Sequence, residues 1–104
     1  MGKLNDNSKV ATVYNYPAGS YRQEGGKWHE YHNDRLYASF EKYDQDSEYI
    51  YLVDKSRNRI DTSRNPPEVR EFWVRLPIRG GDAQWSYSNP FVWTSMYRVK
   101  PANQ

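Results

Sequence analysis

The strongest constraint on the fold is a pattern of short alternating segments, separated by turn signals, that runs through most of the chain. The segment from Tyr49 to Asp54 reads YIYLVD, so Ile50 and Leu52 fall on one face and larger side chains on the other. Aromatic and β-branched residues in such alternation are typical of strands, and no stretch shows the apolar period of a helix. Turn signals separate the segments at Pro17-Ala18-Gly19, Gly25-Gly26, Asn33-Asp34, Gly80-Gly81-Asp82 and Asn89-Pro90.

These segments predict a single all-β domain. About seven short strands joined by turns fit a small antiparallel β-sandwich or barrel. The length of 104 residues suits one domain. We expect a frayed N-terminus over residues 1–9, the β domain over 10–100 with a long loop at 55–68, and a tail over 101–104.

The same alternation predicts which side chains fill the core. Apolar residues that recur on one face of a strand point toward the interior of a sandwich or barrel. The expected core consists of Val13, Trp28, Leu36, Phe40, Ile50, Leu52, Phe72, Val74, Leu76, Trp93, Tyr97 and Val99.

The amino-acid composition limits the classes of function that fit this chain. The chain has 4 Trp, 10 Tyr and 3 Phe, more rings than one small core can hold, so several are expected on a binding surface. The net charge of +2, with both signs interspersed, disfavours a dedicated nucleic-acid binder. The absence of cysteine excludes disulfides and thiolate chemistry. No apolar run approaches the roughly 20 residues of a membrane span, and Met1 to Ser8 lacks the apolar stretch of a signal peptide.

The residues needed for catalysis or metal binding are sparse. Only His29 and His32 could serve as a histidine base, and no nucleophile elbow or phosphate-binding loop is present. Glu30 and Glu41 could face each other as a carboxylate pair, but two solvated strand carboxylates are the simpler interpretation. The alternating carboxylates Asp44, Asp46 and Glu48 could bind calcium, although the loop lacks the glycine and distal Glu of an EF-hand. We therefore predict no enzyme activity, no cofactor and no assigned metal site.

A binding module fits best, with carbohydrate as the first choice of ligand. Sugar rings can rest their C–H faces on aromatic side chains while planar polar groups pair with the hydroxyls. The predicted ligand-binding residues are Tyr37, Glu41, Tyr49, Tyr51, Asp54, Arg57, Trp73, Gln84, Trp85 and Tyr87. The same residue types dominate protein interfaces, so a protein–protein interaction or accessory domain, including a homodimer, is the alternative.

An ordered set of short motifs resembles a group of small bacterial, often secreted, all-β modules. The set is Trp28-x-Glu30, Tyr49-Ile50-Tyr51-Leu52, Asp54, Ser56-Arg57-Asn58, Val74-Arg75-Leu76-Pro77, Gly80-Gly81, Gln84-Trp85-Ser86, Trp93 and Tyr97-Arg98-Val99. The resemblance implies an extracellular binding role. The chain departs from the group at Lys42 and Gln45, where those modules often carry Glu and Arg, and segment 60–72 resembles an insertion.

Overall fold

The computed structural model describes residues 10–102, which form a closed antiparallel barrel in which each strand pairs with the next and the last pairs with the first. The prediction of an all-β antiparallel barrel is confirmed. The strands number eight because the short piece around Ser20 is a complete strand. Their bounds are β1 (Val13–Tyr16), β2 (Gly19–Glu24), β3 (Lys27–His32), β4 (Arg35–Gln45), β5 (Tyr49–Asp61), β6 (Glu68–Pro77), β7 (Gly81–Tyr87) and β8 (Thr94–Pro101). Residues 10–102 contain no helix that is long and apolar enough to span a membrane.

The barrel interior is filled by alternate side chains from every strand. Trp28 and Phe40 face each other across β3 and β4, and Leu52 faces Val74 across β5 and β6. Burial of a large apolar side chain stabilises a fold by about 1.5–3 kcal/mol, so these residues supply much of its stability. The core cluster consists of Ala11, Tyr14, Tyr16, Tyr21, Trp28, Phe40, Ile50, Leu52, Val74, Leu76, Ile78, Ala83 and Val99.

Three predicted core residues lie outside this interior. Val13 alternates with the buried Tyr14 along β1, so it lies on the outer face and is only half-buried. Leu36 is 59% exposed, because a register shift at Glu30/Tyr31 places it opposite Tyr31 on the outer face of the sheet. Trp93 lies in the connection before β8 and is only half-buried. The core instead includes tyrosines that the sequence left ambiguous, because a phenol has both an apolar ring and a polar tip.

The expected long loop at 55–68 is largely a β-hairpin. β5 continues to Asp61 and β6 begins at Glu68, so only residues 62–67 connect them. A register shift between Asp54 and Arg59 interrupts the alternation of side chains, so the sequence pattern does not predict a strand there. Beyond the shift, Ile60 pairs with Val69, and Arg70 binds Asp61 at 2.7 Å.

The predicted ends of the domain are partly revised. Pro101 was assigned to a tail, but it is the last residue of β8 and pairs with Tyr14. The predicted fraying of residues 1–9 concerns a segment outside the described residues, as do residues 103 and 104.

Candidate ligand-binding cleft

A shallow cleft rich in aromatic rings lies on the outer face of strands β4 to β6. Its volume is about 270 Å³. We call it the aromatic cleft, and it is lined by Tyr43, Asp44, Tyr51, Trp73, Phe91 and Trp93. Strand β4 supplies one wall, the β7–β8 connection supplies the other, and β5 and β6 contribute the side chains between them.

A β-bulge brings Tyr43 and Asp44 to the same cleft. Adjacent residues of a regular strand point to opposite faces. Here the pairing of β4 with β5 shifts between Lys42 and Asp44, and Tyr43 is the extra residue. Bulges of this kind re-aim a side chain, which explains how a ring and a carboxylate that are neighbours in sequence can share one wall.

Trp73 lies at the base of the cleft. It pairs with Val53 across β5 and β6 and is 8% exposed. Its ring meets those of Tyr43 and Phe91 edge to face, with centroids 4.9 and 5.2 Å away. Tyr43 and Phe91 therefore stand on either wall with much of their own surface in solvent.

Side-chain hydrogen bonds anchor the β7–β8 connection over the outer face of β6. The backbone N–H of Val92 donates to Ser86 Oγ at 2.7 Å, and the N–H of Glu71 donates to Ser88 Oγ at 2.9 Å. Phe91 stacks on Trp93 with ring centroids 5.4 Å apart and an angle of 9° between the planes. The second wall is therefore held in place by hydrogen bonds and ring stacking within the chain.

The side-chain oxygens of the cleft belong to one carboxylate and two phenols, and its two indoles add N–H donors. Asp44 Oδ1 accepts the N–H of Gln45 at 2.7 Å. Beside it, Asp46 accepts the backbone N–H groups of Glu48 and Tyr49, and the O–H of Tyr51. These hydrogen bonds hold the pKa of Asp46 below its usual range, and the bond from the Glu48 N–H has the largest effect. The cleft thus has an acidic edge.

Arg75 marks the border of the cleft. Its guanidinium carbon lies 4.1 Å from the ring centroid of Tyr49 and 4.4 Å from that of Trp93. Its Nε donates to Gln84 Oε1 at 2.7 Å, and Gln84 Nε2 donates to Ser95 Oγ at 3.2 Å. This row of polar side chains crosses the outer face of β6, β7 and β8.

The structure distributes the predicted ligand-binding residues over three places. Tyr51 and Trp73 line the aromatic cleft, and Tyr49 and Gln84 contact its border through Arg75. A separate cleft of about 650 Å³ includes Tyr37, Glu41, Asp54 and Arg57. On the opposite face of their sheet, Phe72 contacts Trp85 and Tyr87. These residues therefore do not form one continuous surface.

The larger, separate cleft lies where β4 and β5 diverge, beyond the Glu41–Val53 pair. Its buried carboxylate already has partners: Asp54 accepts hydrogen bonds from Ser56 and from Arg57 Nε at 2.7 Å. Burial alone would raise the pKa of Asp54, but these bonds lower it below its usual range. Arg57 also lies 4.0 Å from the centroid of Phe72. These charged groups are therefore engaged with each other.

Four cleft residues, Tyr43, Asp44, Phe91 and Trp93, were not in the predicted ligand-binding set. Trp93 had been assigned to the core and Asp44 to a calcium hypothesis, whereas Tyr43 and Phe91 had no assignment. Within residues 10–102 no group of three metal-ligating side chains is placed to hold an ion. A signal for the connection was present in the sequence, since Asn89-Pro90 precedes Phe91 and breaks the strand pattern.

A second aromatic group lies inside the barrel, around a buried carboxylate. Glu30 Oε2 accepts hydrogen bonds from the O–H groups of Tyr16 at 2.6 Å and Tyr97 at 3.0 Å, and lies 3.0 Å from His32 Nε2. Tyr97 also bonds to Tyr21 through their hydroxyls. We call these residues the interior tyrosine cluster.

The hypothesis that Glu30 and Glu41 face each other is wrong. Glu30 lies opposite Ala38, on the face that points into the barrel. Glu41 pairs with Val53 and follows the inward-facing Phe40, so it points outward. The alternation of side chains along β4 therefore separates the two carboxylates.

Comparison with known proteins gave no match: no family model, no curated protein and no solved structure is significantly similar to this chain.

Proposed function

We propose that this barrel is a non-catalytic binding module that takes a saccharide in the aromatic cleft. The observation that carries the proposal is the pair of exposed rings around a carboxylate: Tyr43 is 70% exposed, Phe91 is 44% exposed, and Asp44 lies next to Tyr43. Ligand sites generally combine apolar walls with a few placed polar groups, and this composition agrees with that pattern.

The chemistry of a sugar suits these walls. One face of a pyranose ring presents C–H groups that can pack on an aromatic face, and its hydroxyls can donate to a carboxylate such as Asp44. The volume of about 270 Å³ is at the small end for ligand pockets, so the cleft holds a short saccharide segment rather than a long chain.

The walls of the cleft are held by the chain's own contacts, which favours binding. The hydrogen bonds from Val92 and to Ser88 hold the β7–β8 connection, and the Phe91–Trp93 stack fixes both rings. Affinity rises when side chains need not be ordered during association, because immobilising one costs about 0.5–1.5 kcal/mol.

An extracellular, bacterial setting is part of the proposal. It is supported by the resemblance carried by the Tyr49-Ile50-Tyr51-Leu52 and Gln84-Trp85-Ser86 motifs to secreted modules. Saccharides of cell walls and secreted polymers are exposed in that setting.

The test is a glycan-array screen, followed by titration of each hit through tryptophan fluorescence. We expect a saturable signal that falls at least tenfold in affinity in Tyr43→Ala and Phe91→Ala. Tyr37→Ala is the matched control, because it removes an exposed ring from the separate cleft. Loss of binding only in the Tyr37 variant would move the site to that cleft, and a blank array on folded protein would refute saccharide binding.

A protein partner is the second candidate, and one observation favours it. Ile60 and Val69 form a cross-strand pair on the β5–β6 hairpin and are 65% and 51% exposed. Exposed apolar pairs of this kind occur at protein interfaces. The mass of the protein in solution distinguishes the cases: a dimer that Ile60→Ser converts to a monomer would favour self-association.

A further inference from the structure

We infer that the aromatic cleft selects saccharides with free amino groups over neutral and acidic ones. This inference rests on the proposed function, because it names the substrate class of the same site. The observation behind it is the lining of the cleft, which within residues 10–102 combines five aromatic rings with one carboxylate and no basic side chain.

The absence of a cation from this lining contrasts with the rest of the described surface. The larger cleft between β4 and β5 includes Lys27, Lys55 and Arg57. Arg59 and Arg70 line a cleft on the β5–β6 hairpin, and two further clefts include Arg22 and a group of Arg79, Arg98 and Lys100. These basic side chains therefore line other clefts, and Arg75 contacts a ring of the aromatic cleft, that of Trp93.

The rings and the carboxylate attract the same kind of group. The face of an aromatic ring carries partial negative charge and stabilises a cation placed over it. Asp44 adds a full negative charge at one wall, and Asp46 accepts the hydroxyl hydrogen bond of Tyr51, a ring of the same cleft. An ammonium group on a bound sugar would meet both attractions, whereas a sugar carboxylate would be repelled by them.

Arg75 does not reverse this preference. It borders the cleft but is not among its lining residues, and its guanidinium is already engaged by Tyr49, Trp93 and Gln84. The positive charge therefore lies on the Trp93 side of the cleft, near Tyr51 and Asp46, whereas Asp44 lies on the other wall next to Tyr43. We expect a cationic ligand to bind on the Asp44 side.

The test compares three tetrasaccharides of similar size on the full chain: the tetramer of glucosamine, the tetramer of N-acetylglucosamine, and cellotetraose. Titrations are followed by tryptophan fluorescence at a pH where the amine is protonated. We expect the glucosamine tetramer to bind about tenfold more tightly than the two neutral ones, from one exposed ion pair together with cation–π contacts. The ratio should shrink as salt is raised, because exposed charges are screened.

The variant Asp44→Asn keeps the shape of the side chain and removes its charge. It should lower the ratio of amino to neutral affinities from about tenfold to about threefold, because the cation–π contacts with the rings remain. Asp82→Asn is the matched control, since Asp82 is an exposed carboxylate that pairs with Arg98 on β8, outside the cleft. The control should preserve the ratio.

The remaining outcomes separate the two proposals. Equal affinity for all three tetramers would refute the selectivity and leave saccharide binding intact. Binding of tetramethylammonium as tight as that of the glucosamine tetramer would replace the amino sugar with a simple organic cation. No binding of any tetramer, by a folded sample, would overturn the inference together with the proposed function.

Discussion

The interior tyrosine cluster and the aromatic cleft use similar residues in different ways. Inside the barrel, the hydroxyls of Tyr16 and Tyr97 bond to Glu30, and their rings stack 3.9 Å apart. On the outer face, Tyr43 and Phe91 touch Trp73 with their edges and leave much of their surface in solvent. The phenol hydroxyls of the first group have hydrogen-bond partners within the protein, whereas the ring faces of the second group are exposed and could contact a ligand.

This difference separates aromatic side chains that stabilise the fold from aromatic side chains that remain exposed on its surface. Buried phenols require partners, and Glu30 supplies an acceptor at the centre of the cluster. Exposed rings need none, so they can serve binding at little risk to the fold. The expectation is that interior changes alter stability and cleft changes alter binding.

The largest effect is expected from Trp28→Ala. Trp28 is fully buried among core residues, and truncating such a side chain leaves a cavity that costs about 3–5 kcal/mol. Urea denaturation should show that loss, which is enough to unfold much of a marginally stable domain. A variant that unfolds at the wild-type urea concentration would show that the interior contributes less than we infer.

Alkaline pH should weaken the interior next. Burial raises the pKa of Tyr14 to about 12, and burial is also the main reason that the pKa values of Tyr16, Tyr21 and Tyr97 are raised. The unfolded chain loses these protons near about pH 10. Stability is therefore complete below about pH 10 and falls as pH rises toward the folded-state values, by about 2–3 kcal/mol for Tyr14 alone.

Tyrosinate absorbance during a pH titration checks this prediction. The interior tyrosines should lose their protons only together with unfolding, which circular dichroism follows in the same samples. Titration of all tyrosines in one step, in protein that remains folded, would contradict the assignment of an interior cluster.

A smaller loss of stability is expected from Glu30→Gln. The amide keeps one acceptor oxygen but replaces the charged acceptor of the Tyr16 and Tyr97 hydroxyls, and bonds to charged groups contribute about 1.5–3 kcal/mol. Denaturation at neutral pH should show a loss near 2 kcal/mol. Glu41→Gln makes the same change on the outer face and should change the free energy of unfolding little. Equal losses of stability in both variants would contradict the structural role assigned to the interior tyrosine cluster.

The smallest change of stability is expected in the cleft itself. Phe91→Ala should lower the free energy of unfolding by only about 1 kcal/mol, because the ring is partly exposed and the connection is anchored by its backbone. Val92→Ala, at an adjacent exposed side chain, is its control. A loss from Phe91→Ala as large as that from Trp28→Ala would make Phe91 a core residue rather than a binding wall.

The sequence predicted the barrel well because alternation is a local signal. Ile50, Leu52, Val74 and Leu76 alternate without interruption, and all are buried as expected. Prediction failed where the register shifts. Leu36 lies beside one register shift, so counting in steps of two placed its side chain on the inner face instead of the outer face. Segment 55–61 lies at another register shift, so it was predicted to be a loop although it belongs to a strand.

The candidate site was harder to predict, because it depends on contacts between distant segments. Trp73 and Tyr51 were identified from their strands, but the wall of Phe91 and Trp93 requires the β7–β8 connection to fold over β6. The bulge that turns Tyr43 and Asp44 to one side is equally invisible in strand periodicity. The sequence alone also could not show that Trp85 and Tyr87 lie on the opposite face of the sheet from Trp73.

The most direct test of the division between the two aromatic groups is an NMR titration that resolves individual aromatic rings. The ligand is the tetramer of glucosamine or of N-acetylglucosamine, whichever binds more tightly. We predict that the ring signals of Tyr43, Phe91 and Trp93 shift on binding, while those of Tyr16 and Tyr97 stay in place. Shifts concentrated in Tyr16 and Tyr97, with the cleft rings unchanged, would contradict the assignment of binding to the outer face.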